Sequence, residues 1–133
     1  MDIAIELMEH AKAISVNAYA PYSKFSVGAA LITNDSRIFT GCNVENASYG
    51  LSICAERNAV FKMVSGGQHE LRMIAIYTPT EKPTPPCGAC RQVISEFGAN
   101  AKVISFCDSD EVITTSIREL LPGAFGPNSI SKV

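Results

Sequence analysis

A chain of 133 residues, 47% hydrophobic and 18% charged, has the length of one domain and can bury a core without a metal or disulfide merely to fold. Its formal net charge is −2, and Lys12, Lys24, Arg37, Lys62 and Arg72 are scattered. No basic stripe is available to neutralise phosphates, which argues against a nucleic-acid polymer as partner and for a small or uncharged one.

Asp2 is placed to cap a first helix, with Ile3, Leu7, Ala11 and Ile14 at helical spacing and Pro21 as its expected end. Val27 to Thr33 reads as a buried strand. Asn34-Asp35-Ser36 is a turn, and Ile38 to Val44 a second strand, so the pair predicts a hairpin. After a loop from Asn46 to Gly50, Ser52 can cap a second helix from about Ile53 to Ser65, stopped by Gly66-Gly67. Met73 to Thr78 reads as a third strand. Four prolines between Pro79 and Pro86 require irregular backbone. A third helix starts at Cys87 or just after and stops at Gly98. Lys102 to Cys107 and Glu111 to Thr114 are the last strands. Ser116 and Glu119 have capping-box spacing for a short final helix before Pro122, and the tail to Val133 is rich in Gly, Pro and Ser. The order α-β-β-α-β-α-β-β-α predicts a single domain over residues 1–133. Its expected form is an α/β fold: a three-layer α/β/α arrangement with a five-stranded mixed sheet. A hairpin opens the sheet, and crossover helices are expected to make the later pairings parallel.

No apolar run approaches the roughly 20 residues that cross a bilayer. Met1-Asp2 opens into a mixed apolar and charged run, with no export signal. The expectation is a soluble, cytoplasmic protein with no membrane partner. The apolar share of the composition hints at a buried subunit interface.

The five cysteines are Cys42, Cys54, Cys87, Cys90 and Cys107. An odd number without an export signal argues against a disulfide framework. Cys42 and Cys107 fall in strands and read as core. Cys54-Ala55-Glu56-Arg57 and Cys87-Gly88-Ala89-Cys90 each open a helix after a loop. Sulfurs at helix starts sit in partial positive charge that favours thiolates. Three protein ligands leave a fourth tetrahedral position for water, as in a catalytic zinc site. Glu56, two residues beyond Cys54, is placed to serve that water as general base and then general acid. This spacing matches the zinc nucleobase-deaminase signature, with Cys in the first ligand position. Three thiolates on a divalent ion leave a net −1, which makes bound water a weaker acid. Arg57 and Arg91 are the adjacent cations, and Arg57 is expected to hydrogen-bond the sulfurs. His10 and His69 lie far from these segments and read as surface residues.

At these residues the chain resembles the small tetrameric cytidine deaminases. The resemblance extends through Pro21-Tyr22-Ser23-Lys24-Phe25-Ser26-Val27-Gly28-Ala29-Ala30, Asn43 to Gly50, Pro86 to Gln92 and Leu120-Leu121-Pro122. It implies hydrolysis of cytidine and deoxycytidine to uridine and deoxyuridine with release of ammonia, in pyrimidine salvage. It implies one Zn2+ per subunit on Cys54, Cys87 and Cys90, with Glu56 catalytic. Asn43 and Glu45 are expected to hold the ribose hydroxyls and Phe25 to pack on the base, with Val44 and Ala55 also in contact with substrate. Ala47, Tyr49 and Phe125 are expected to come from neighbouring subunits of a homotetramer that shares its active sites.

Other readings share parts of this pattern. A deaminase for another aminopyrimidine compound, such as blasticidin S, would keep the zinc site, but Arg57 and Asn43-Val44-Glu45 favour a nucleoside enzyme. A polynucleotide editor would need a basic groove or stacking platform. A non-enzymatic zinc module would need no open metal position, and no fourth ligand stands at zinc-ribbon spacing. Glu45 beside the sugar, with no basic cluster in view, argues for a nucleoside over a nucleotide.

Overall fold

The computed structural model describes residues 2–130. It contains helices α1 (Ile3–Ser15), α2 (Ala55–Ser65), α3 (Gly88–Phe97), α4 (Ile117–Leu120) and α5 (Pro127–Ile130). The strands are β1 (Gly28–Thr33), β2 (Ile38–Cys42), β3 (Leu71–Tyr77), β4 (Lys102–Phe106) and β5 (Val112–Ser116), in spatial order β2-β1-β3-β4-β5. The expected five-stranded mixed sheet is present.

Strand directions differ from the expectation in a specific way. Only β3 and β4 pair in parallel, while β1 pairs antiparallel with both β2 and β3, and β4 with β5. The crossover through α2 does make β3 run in the direction of β2. However, β3 docks beside β1, which already runs the opposite way. The β4–β5 link is a short turn, which permits only the antiparallel arrangement.

Alternation along the strands sorts side chains into two cores. Ala30, Ile32, Met73, Ala75, Ile104 and Phe106 pack with Leu7 and Ala11 of α1. Ala29, Leu31, Ile74, Ile76 and Val103 face Val60 and Met63 of α2, Ile94 of α3 and Ile117 of α4. Helices therefore cover both faces, giving three layers. Two glycines let helices approach the sheet. A Cβ on Gly28 would stand 1.9 Å from the Ala11 carbonyl oxygen, and one on Gly41 2.4 Å from the Ala59 nitrogen.

Several boundaries move for local reasons. The first helix stops at Ser15, well before Pro21. The Ser15 hydroxyl donates to the Lys12 carbonyl at 2.6 Å, and the Asn17 and Ala18 amides close on Ile14 and Ser15, so side chain and turn replace the helical ladder. Ser52 is not the cap of α2. Its hydroxyl accepts from the Asn46 amide, and Cys54 takes the N-cap position. The second strand ends at Cys42, because Asn43 turns its side chain to the Phe25 and Val27 backbone. The Ser116 hydroxyl does accept from the Glu119 amide, as the capping-box spacing requires. The tail contains a turn of helix, α5, before the end of the described residues. Cys107 is buried and Cys42 half-buried, while His10 and His69 are exposed.

Candidate active site

Two helix starts meet on the α2–α3 side of the sheet. Cys54 caps α2 and Cys87 caps α3, both in extended backbone, and neither sulfur caps its own helix. The Sγ atoms of Cys54, Cys87 and Cys90 all lie within 4.8 Å of one another, with Cys54 and Cys87 3.9 Å apart. Two sulfurs each about 2.3 Å from one zinc ion at a tetrahedral angle stand roughly 3.8 Å apart. Three soft donors at helix N-termini therefore fit a zinc ion in both spacing and chemistry.

The surrounding charges suit thiolates. Arg57 Nη2 donates to Cys54 Sγ at 3.5 Å, and its Nε is buried with no acceptor among the described residues. The neighbouring Cys90 thiol brings the Cys54 thiol down to about 5, and Arg57 adds to the effect. Cys90 is pushed up by its closeness to Cys54 and by burial. Arg91, the other adjacent cation, has a different task. Its Nε donates to the Pro86 carbonyl at 2.7 Å and its Nη1 to the Leu120 carbonyl at 3.0 Å. It thereby fixes the turn leading into Cys87 against the end of α4.

Glu56, in the first turn of α2, is 5% exposed. Burial pushes its carboxyl up to about 7, and the negative charge on Cys54 pushes in the same direction. A carboxyl titrating near neutrality can both take and return a proton.

A cavity of about 350 Å³ adjoins this group, and Cys54, Ala55, Glu56 and Cys87 share its lining with Phe25, Asn43 and Glu45. Asn43 Nδ2 donates to the Phe25 carbonyl at 2.7 Å, and its Oδ1 accepts from the Val27 amide at 2.9 Å. Glu45 accepts from the amides of Tyr22 and Ser23 and from the Ser23 hydroxyl, and these bonds, led by the hydroxyl, hold its carboxyl below the usual range.

The other expected substrate residues stand apart within this one chain. Val44 is 46% exposed and pairs its backbone with Ile53. Tyr49 (75% exposed) borders an adjoining recess of about 280 Å³ with Tyr22, Ser23, Glu45 and Ser52. Ala47 is exposed and Phe125 is 60% exposed. Neither lines the cavity. The cavity also takes Ser23, Val27, Ile76, Thr78, Thr84 and Pro85, which the sequence reading did not single out. Thr78 follows the carboxyl end of β3, where ligands gather in open α/β sheets. Thr84 and Pro85 precede Cys87 so closely that the loop must share its cavity.

Comparison with known proteins places the chain in a family. Residues 1–107 match the model of the cytidine and deoxycytidylate deaminase zinc-binding region. The chain is 43% identical to a cytidine deaminase of Sporosarcina psychrophila over 132 residues, 98% of this chain and 96% of that protein. It is 50% identical to a cytidine deaminase of Halalkalibacterium halodurans over 109 residues, 81% of this chain and 83% of that one. Its fold superposes on the crystal structure of cytidine deaminase from Burkholderia pseudomallei with a TM-score of 0.88 at 50% identity, covering 91% of this chain and 98% of that chain. Motif, sheet order, thiolate cluster and family match agree: the chain belongs to the family defined by the cytidine and deoxycytidylate deaminase zinc-binding region.

Proposed function

We propose that this chain catalyses the zinc-dependent hydrolytic deamination of cytidine and deoxycytidine, giving uridine and deoxyuridine and releasing ammonia. The observation that carries the reading is the buried Glu56 carboxyl beside the cluster of three thiols, lining a cavity that Asn43 and Glu45 also line. Cys54, Cys87 and Cys90 hold the zinc, which when bound supplies a water acidic enough to ionise near neutral pH. Glu56 takes one proton from the attacking water and delivers it to ring nitrogen N3. It then takes the second proton, from the new C4 hydroxyl, and gives it to the amine, which leaves as ammonia as the C4 carbonyl forms. Arg57 offsets the negative charge of the thiolates. Asn43 and Glu45 meet the sugar hydroxyls, Phe25 packs on the base, and Val44 and Ala55 complete the contact.

Among the described residues no lysine or arginine lines the cavity, so a 5′-phosphate would find no cation in that lining and would meet the charge of Glu45. This favours a nucleoside over a nucleotide. Ala47, Tyr49 and Phe125 serve a neighbouring copy in a homotetramer, which accounts for two large aromatic side chains left in solvent. Among the described residues no helix is long and apolar enough to cross a membrane, and a cytoplasmic salvage role fits a free-nucleoside substrate. Ultraviolet monitoring of cytidine, deoxycytidylate and blasticidin S turnover tests the reading. Cytidine is expected to be the best substrate by kcat/KM. Preference for either of the others would overturn the substrate assignment.

A further inference from the structure

The turn carrying Phe25 is held by a side chain that the metal chemistry does not use. Ser23 borders both the cavity and the adjoining recess. Its hydroxyl donates to Glu45 Oε2, and its amide donates to Glu45 Oε1 at 3.1 Å, beside the Tyr22 amide at 3.0 Å. The same hydroxyl oxygen accepts from the Phe25 amide at 3.1 Å. From the other side Asn43 Nδ2 takes the Phe25 carbonyl. Phe25 is thus gripped at both its N–H and its C=O. Between Ser23 and Phe25, Lys24 has φ 60°, a left-handed conformation that costs a lysine free energy and persists where its surroundings enforce it.

The acceptor sites of Glu45 can be counted. A carboxylate offers about four lone-pair sites, and three are filled from the Tyr22–Ser23 turn. Among the described residues the remaining one, on Oε2, the oxygen that Ser23 holds, has no donor. A single free acceptor site takes a single hydroxyl donor, and its direction is set by the Ser23 contact.

We propose that Ser23 is a positioning residue that serves sugar and base together. Its hydroxyl aims the last free acceptor site of Glu45 and, through the Phe25 N–H, seats the aromatic ring. The inference rests on the nucleoside reading above.

The test measures cytidine kinetics for Ser23→Ala and Ser23→Thr, and for Ser23→Ala combined with Glu45→Gln, and determines the crystal structure of ligand-free Ser23→Ala. Ser23→Ala is expected to raise KM about tenfold with kcat held within about twofold, since a binding contact to a charged group is lost. Ser23→Thr, which keeps the hydroxyl, is expected to return KM to within about threefold of the parent. In the Glu45→Gln background the same Ser23→Ala change is expected to add less than about threefold, because the two side chains act as a unit. The Glu45 carboxylate is expected to be rotated in the Ser23→Ala crystal. An unchanged KM, an equal KM rise in both backgrounds, or a Glu45 carboxylate that has not moved would overturn the proposal. A parent protein that leaves cytidine untouched would overturn the nucleoside reading, and the crystal structure would still decide whether Ser23 holds Glu45.

Discussion

Glu56 and Arg57 are consecutive in sequence but act on different parts of the site, and each yields its own prediction. The Glu56 carboxyl is raised from 4.5 to about 7 by burial, so the folded protein favours its protonated form. Its stabilising contribution is complete below the unfolded value of 4.5 and is lost as pH rises through about 7. Relative to a Glu56→Gln variant, the zinc-free protein is expected to lose about 3 kcal/mol of stability between pH 4.5 and pH 8. Urea unfolding of both proteins across that range measures it, and parallel pH profiles would refute the burial argument. Arg57 donates to Cys54 and should keep the bound water acidic. Arg57→Gln is expected to lower activity about 10- to 100-fold and to shift the acid limb of the kcat/KM profile upward. An unmoved profile would show that the arginine only packs.

These residues were legible because chemistry constrains their spacing: Cys54 to Glu56 and Cys87 to Cys90 are short-range patterns. The task of Arg91 was not. Its position beside Cys90 suggests charge compensation, but the carbonyls it binds belong to Pro86 and Leu120, and Leu120 is brought near only by the fold. Ser23 was hidden for the same reason, since its partner Glu45 lies 22 residues along the chain.

Helices and strands were legible where apolar periodicity was strong, and their ends shifted where a polar side chain took over a backbone bond, as at Ser15 and Asn43. The antiparallel β1–β3 pairing could not be read from the order of elements, because a crossover fixes the direction of β3 but not its neighbour. Gly41 shows how closely the elements are fitted. It lies against α2, the helix that carries Glu56 and is capped by Cys54, with no room for a methyl group beside Ala59. Gly41→Ala is expected to cost about 3 kcal/mol and to weaken zinc binding by displacing α2. Thermal unfolding and competition with a chromophoric chelator would measure both effects. A variant with parent stability and parent zinc affinity would show that the sheet yields at that point.

Across the whole molecule, the cavity is well furnished at its metal end, while Tyr49 and Phe125 remain 75% and 60% exposed. The proposed homotetramer, in which copies complete one another's cavities, would account for both observations. Sedimentation velocity is expected to show a tetramer, and Phe125→Ala to raise KM more than it lowers kcat. A fully active monomer would contradict the shared-site reading.

As proposed, Cys54, Cys87 and Cys90 hold one zinc on which hydrolysis depends. The direct measurement is the rate of cytidine loss as zinc is titrated back into chelator-stripped protein. Activity is expected to be absent at the start, to rise in proportion to added zinc and to level off at one ion per chain. Stripped protein that deaminates cytidine at the full rate, or restored protein holding one zinc per chain that does not deaminate it at all, would rule out zinc-dependent hydrolysis at this site.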